Sequence, residues 1–116
     1  MVCIDMPYEV VLLDPAKEFL LGLGEKFRAK AFRAIDLLCY FGPLLRMPHS
    51  RKLGDYDLWE LRVQQGGMIC RLFYFHERGR IYIVTSGYVK KTEKTSPDEI
   101  RKALRFKTDY LGGNTL

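Results

Sequence analysis

The chain predicts an α+β fold, with a small antiparallel sheet packed on N-terminal helices and a C-terminal helix, in a single domain over residues 1–116. Three observations carry that reading. The stretch from Leu58 to Lys91 (LWELRVQQGGMICRLFYFHERGRIYIVTSGYVKK) reads as three antiparallel strands cut by two turn signals, Gln65-Gly66-Gly67 and Glu77-Arg78-Gly79. Glu25 to Tyr40 keeps apolar residues at helical spacing. Ser96-Pro97-Asp98-Glu99 forms a capping box with proline at the first helical position, and so starts another helix.

In chain order, Tyr8 to Leu13 (YEVVLL) is a β-rich run ending at Asp14-Pro15, read as an N-cap aspartate and a proline at the first helical position. The helix that follows reaches about Leu21, offers Phe19, Leu20 and Leu23 to a core, and is interrupted at Gly22 and Gly24. In the next helix Phe27, Ala31, Ala34, Ile35, Leu38 and Phe41 make an apolar stripe, with Lys26, Arg28, Lys30 and Arg33 between them; Gly42-Pro43 stops it. This helix is expected to cover the apolar face of the sheet. Leu44 to Tyr56 (LLRMPHSRKLGDY) is expected to be a loop, and it carries Arg46, His49, Arg51 and Lys52. Lys90, Lys91 and Lys94 lie in a threonine-rich connection to the last helix, which runs to Tyr110, stops at Gly112-Gly113 and leaves a frayed tail to Leu116. The order strand, helix, helix, three strands, helix is a two-layer plan.

Alternation along the three strands sorts their side chains. Glu60, Arg62 and Gln64 share a face with Ile69, Arg71, Phe73 and Phe75, and with the last turn centred on Arg78-Gly79 that face continues into Tyr82, Val84, Ser86, Tyr88 and Lys90. The opposite face reads Trp59, Leu61, Val63, Cys70, Leu72, Tyr74, Ile81, Ile83 and Thr85, and is the core face. A turn on Gly66-Gly67 sets Arg62 opposite Arg71, whereas a turn on Gln65-Gly66 sets Arg71 opposite Glu60. Either register brings two guanidinium groups close together. They read as an anion site, because the fork of arginine suits phosphate, or as a surface pair neutralised by Glu60 and solvent.

Composition narrows the class. With 47% hydrophobic residues the chain has material for one core, and a formal net charge of +5 with a pI near 9.2 favours a polyanionic partner such as nucleic acid or an acidic protein segment. Cys3, Cys39 and Cys70 are an odd set without CxxC spacing, and no secretory leader is evident, so a reduced, cytoplasmic protein is expected. Apolar runs are too short for a bilayer, so no membrane association is expected. No metal site and no cofactor site is read, and no Gly-rich phosphate loop, HExxH or GxSxG is found.

Several short motifs occur together in order: Lys52-Leu53, LWELR (58–62), CRLFYF (70–75), and a strand running into VKKTEKTSPDEI (89–100). Together they resemble the RelE/ParE superfamily of toxins, and within it the HigB-like, phage-derived branch, over about residues 8–110. The resemblance implies a RelE-like, microbial-ribonuclease-like fold and a type II toxin that cleaves mRNA, usually in the ribosomal A site. It also implies a cognate antitoxin, of helix-turn-helix type in the HigB-like branch, held with the toxin in a hetero-oligomer. By motif, the family's RNA-binding and catalytic positions fall on Lys52, Arg62, Arg71 and Lys90-Lys91. The acid or base that relatives place near the last helix has only Asp109-Tyr110 as its counterpart here. Some members of the superfamily poison gyrase instead, and an inert RNA-binding or interaction module is the third reading.

Cleaving RNA without a metal requires the 2′-hydroxyl to be deprotonated, the phosphorane charge to be stabilised and the 5′-oxygen to be protonated. Arg62 and Arg71 are the expected electrostatic pair. Lys52 or Lys90 is the candidate base, its pKa lowered by cationic neighbours, with Tyr88, His49 or a lysine as acid. Lys91, Arg51, Arg46, His49 and Lys94 are the expected RNA contacts. Tyr88 has an equal claim as an aromatic packed on the sheet edge or stacked on a base, and a lone loop histidine such as His49 is more often merely exposed.

Overall fold

The structure is a computed structural model that describes residues 7–113; Cys3 and tail residues 114–116 lie outside the described residues. Its elements are β1 (Glu9–Leu12), α1 (Asp14–Leu21), α2 (Glu25–Phe41), a short 3-10 turn at Gly42–Leu44, β2 (Ser50–Lys52), β3 (Trp59–Gln65), β4 (Met68–Arg78), β5 (Ile81–Lys90) and α3 (Pro97–Gly113). The strands form one sheet in the order β1-β5-β4-β3-β2. β3 to β5 pair antiparallel as expected, β2 adds an unexpected antiparallel edge, and β1 joins β5 in parallel, so the sheet is mixed rather than wholly antiparallel.

The helix start at the first junction differs from expectation by one residue. Leu13 still donates its N–H to the Val84 carbonyl at 2.9 Å, which keeps its backbone extended, so Leu13 takes the cap position and Asp14 is already helical. No side chain caps α1. The Gly22 to Gly24 break separates α1 from α2, as the glycine spacing predicts. Within the stretch expected to be a loop, Ser50-Arg51-Lys52 forms the edge strand β2, paired with Trp59 to Leu61 of β3.

Gly66 and Gly67, with φ of 57° and 80°, make the hairpin turn that sets Arg62 opposite Arg71. The next hairpin departs from simple alternation. Arg78 pairs with Ile81, so the turn is Gly79-Arg80, and Glu77 and Thr85 are each left over where the register shifts. One extra residue turns every following side chain over. Tyr82 and Val84, expected beside Phe73 and Phe75, therefore face the N-terminal helices with Tyr74, while Ile83 pairs with Phe75. Ser86, Tyr88 and Lys90 lie beyond the Thr85 bulge and keep their expected face, opposite Phe73, Arg71 and Ile69.

The main core lies between that sheet face and α1 and α2. Ala16, Leu20, Ala31, Ala34, Ile35 and Leu38 meet Leu61, Val63, Cys70, Leu72, Tyr74 and Val84 there. A fully buried leucine contributes about 1.5–3 kcal/mol, so Leu20 and Leu38 from the helices and Leu61 and Leu72 from the sheet each add substantially to this layer. Burial pushes the Cys70 thiol up to about 12, which keeps it a neutral apolar group, as its place in the pattern predicts. α3 packs on the opposite face, against Phe73 and Leu58 through Ala103, Ile100 and Leu104. The two-layer expectation is thereby corrected, because helices flank both sides of the sheet. α3 covers only part of its face; the remainder holds the charged residues described next.

Candidate active site

Glu60 is completely buried on the uncovered part of that face, and three arginines from three strands surround it. Arg51 sits directly across from Glu60 on β2 and donates from Nη2 to Oε1 at 2.9 Å. Arg62, two residues along β3, brings Nε to 3.7 Å from Oε1, and Arg71 on β4 brings Nε to 3.7 Å from Oε2. The last two distances are ion-pair contacts too long for hydrogen bonds. Thr95 completes the carboxylate's shell: its hydroxyl donates to Oε2 at 2.7 Å and accepts from Arg51 Nη2 at 2.9 Å. Like charges facing each other at Arg62 and Arg71 repel, and Glu60 between them offsets that repulsion.

Residues 91–95 pass over this cluster between β5 and α3. Arg71 has no exposed surface, and its Nη2 donates to the backbone carbonyls of Thr92 and Glu93, the latter at 2.8 Å. The Glu93 carboxylate accepts from Arg62 Nη2 at 2.7 Å. That hydrogen bond, the Arg62 charge, and then Arg71 and Arg51 hold the Glu93 carboxyl below its ordinary value. The segment ends at α3, where the Ser96 hydroxyl accepts from the Glu99 N–H at 3.5 Å. The Ser96 N–H, which a full capping box would give to Glu99, goes to the Tyr88 hydroxyl at 2.7 Å instead.

Of the residues named from sequence, Arg51, Arg62 and Arg71 are brought together, and the backbone of His49 runs beside Arg62. The His49 carbonyl accepts the Arg62 N–H at 2.8 Å, and Pro48, His49, Arg62 and Gln64 line a groove of about 220 Å³. Tyr88 lies opposite Arg71, with its ring stacked on Phe73 at 5.9 Å and the Arg71 guanidinium 5.6 Å from the ring centre. Lys52 goes elsewhere. It lies opposite Trp59, with its ammonium 5.7 Å over that ring, so alternation along β2 sends it to the sheet face away from Arg51. Lys90 is exposed opposite Ile69 at the end of β5. Lys91 borders a groove with Lys30, Gln64 and Glu93, and Lys94 another with Arg51, Thr95 and Ile100, whose edge Lys52 also reaches. Arg46 is exposed in the turn before β2, where its carbonyl accepts the His49 N–H at 2.9 Å. Tyr110 sits at the far end of β4, donating to Glu77 at 3.1 Å, and does not join the cluster.

Thr95 and Glu93 are the site residues that sequence reading missed, and it treated Glu60 only as a neutralising charge. Glu93 had a signal, as the single acid inside the basic run KKTEKT. Chemically, the arrangement is a largely buried cationic cluster, three guanidinium groups against the buried carboxylate of Glu60 and the exposed one of Glu93, with a histidine lining the adjoining groove. Phosphate fits such a cluster, because each guanidinium presents donors in a fixed fork. Among the described residues no His, Cys, Asp and Glu side chains are grouped to hold a metal ion, and no helix is long and apolar enough to cross a membrane.

A family model described as Phage derived protein Gp49-like (DUF891) matches residues 18–108. Among solved structures, a mutant of the E. coli toxin RelE in the free state is similar with a TM-score of 0.63 and 19% identity, over 86% of this chain and 97% of that one. The archaeal RelE-RelB complex from Pyrococcus horikoshii OT3 gives 0.57 at 21% identity, over 77% of this chain and all (100%) of that one. The intact E. coli RelBE toxin-antitoxin complex gives 0.53 at 19% identity, over 75% and 99%. No curated protein sequence matches. A family match across most of the chain shows that the protein belongs to the phage-derived Gp49-like family, and its fold is the one seen in the RelE toxins.

Proposed function

We propose that this protein is the toxin of a type II toxin-antitoxin pair, a ribosome-dependent endoribonuclease that cuts mRNA in the cytoplasm. The observation that carries the reading is the convergence of Arg51, Arg62 and Arg71 on one face, with His49 lining the same groove as Arg62. The RelE fold supports the toxin role, and the RelE-RelB complexes among its structural neighbours support an antitoxin as partner. In the HigB-like branch that antitoxin carries a helix-turn-helix domain.

In this mechanism Arg62 meets the scissile phosphate and stabilises the charge that builds as the 2′-oxygen attacks. Arg71, buried beneath it, holds the 91–95 segment and adds positive potential without direct contact. His49, exposed and lining the same groove as Arg62, is the candidate to move a proton, and Lys90, Lys91 and Lys94 hold the flanking backbone. Tyr88 is tied to Ser96 and stacked on Phe73, so it supports the frame of the site. Lys52, across the sheet from Arg62, contributes to RNA binding only outside the groove.

Induction in growing cells tests the reading. The wild type should arrest growth and produce new mRNA 5′ ends inside translated regions, without DNA breaks. Arg62→Ala should lower cleavage by about two to three orders of magnitude, the usual cost of one such donor, with the fold intact by circular dichroism. Trapped DNA breaks with intact mRNA would assign the protein to gyrase inhibition, and harmless expression of folded protein would make it an inert module.

A further inference from the structure

We propose that Glu93 is a built-in occupant of an anion position on the arginine cluster, and that an incoming phosphodiester binds by displacing the Glu93 carboxylate and lifting the 91–95 segment. The proposal deepens the reading of this face as the RNA site and rests on it for the identity of the ligand.

Two carboxylates face three guanidinium groups here, and they are held very differently. Glu60 is wholly buried on β3 and bonded by Arg51 of β2, contacts that do not depend on the 91–95 segment, so it stays in place when that segment moves. Glu93 has a side chain 74% exposed and bonds Arg62, whose own side chain is only 7% exposed. An exposed carboxylate on a buried guanidinium exchanges readily with another anion, because screening by water leaves the pair weak.

The cluster is also short of acceptors. Arg51 Nε, Arg62 Nε, Arg71 Nε and Arg71 Nη1 are buried with no hydrogen-bond partner. Buried donors left unmade are costly, and a tetrahedral phosphate carries more acceptor oxygens than the single carboxylate oxygen that Arg62 now engages. The segment that must move has no regular structure and links β5 to α3. Its ties to the cluster are the Thr92 and Glu93 carbonyls on Arg71, the Glu93 carboxylate on Arg62 and the Thr95 hydroxyl. Lys91 and Lys94 flank Glu93 in sequence and are exposed, so lifting the segment swings two cations towards a bound backbone.

The test is binding of a fluorescein-labelled oligouridylate with 2′-O-methyl sugars, which cannot be cleaved, followed by fluorescence anisotropy on the purified chain at low salt. Glu93→Gln should tighten binding by about threefold to fivefold, the scale of one screened ion pair. Glu93→Asp keeps the charge but shortens the reach to Arg62, and should also bind more tightly than the wild type, by a smaller factor. Glu18→Gln removes the same charge from an exposed position on α1 and should change nothing. Equal affinity for Glu93→Gln and wild type would overturn the proposal. So would a gain that Glu18→Gln matches or that Glu93→Asp lacks, because bulk charge would then explain it.

Thermal melting with inorganic phosphate reads the same position without RNA. Phosphate should raise the melting temperature of Glu93→Gln more than that of the wild type. If it does while no variant binds the oligonucleotide, the displaced-carboxylate site stands and the RNA reading fails. If phosphate stabilises both proteins equally, or neither, the site is not gated by Glu93.

Discussion

Glu60 has no contact with solvent, yet it faces three guanidinium groups and a threonine hydroxyl, and that burial makes its charge structural. Replacing it with glutamine keeps the shape and leaves Arg51, Arg62 and Arg71 without a buried counter-ion. Breaking a buried ion pair from one side costs about 3–5 kcal/mol, so Glu60→Gln should lower the urea midpoint accordingly. A loss below about 1 kcal/mol would mean that solvent already neutralises the cluster. At this scale the sequence was informative about identity and poor about exposure. Alternation placed Arg62, Arg71 and Glu60 together, but it cannot show that a later segment covers them, because residues 91–95 reach the cluster only through tertiary contacts. Lys52 and Arg51 illustrate the same limit. They are adjacent in a stretch without apolar alternation, and only pairing with β3 decides that Arg51 faces Glu60 while Lys52 faces Trp59.

Among the elements, helices were the most legible, since the stripe from Ala31 to Leu38 and the Ser96-Pro97 start each state a period or a cap. Strand β5 was legible only at its C-terminal end. The extra residue at Thr85 has no sequence signature, so the alternation that correctly placed Tyr88 placed Tyr82 and Val84 on the wrong face. Gly87, two residues past the bulge, is where α1 packs tightly on β5: a Cβ there would lie 2.8 Å from the Arg71 carbonyl, from Leu72 Cδ2 and from Phe19 Cδ2. Gly87→Ala should therefore destabilise the protein by about 1–3 kcal/mol through overpacking, measured by denaturant unfolding. An unchanged midpoint would show that α1 can shift away from the sheet at no cost. Because Gly87 adjoins Tyr88 opposite Arg71, the same substitution should also lower activity more than its stability cost explains.

For the molecule as a whole, the two sheet faces divide the work. One is buried against α1 and α2 and supplies the main core; the other is shared between α3 and the arginine cluster, where the proposed chemistry would take place. On the proposed reading, the basic residues of the chain favour RNA through phosphate contacts, but binding alone does not align a 2′-hydroxyl with its leaving oxygen. The site has one histidine at its rim and no second proton-transfer group paired with it in the groove lined by Pro48, His49, Arg62 and Gln64. A ribosome that holds mRNA in an extended, in-line geometry would supply what this surface lacks. The most direct test is a time course with the purified protein and one defined mRNA, presented either naked or on ribosomes translating it. Cleavage should be rapid and confined to the ribosome-bound message, with weak, salt-sensitive binding but little cutting of naked RNA. Equally rapid cleavage of both forms would contradict the account.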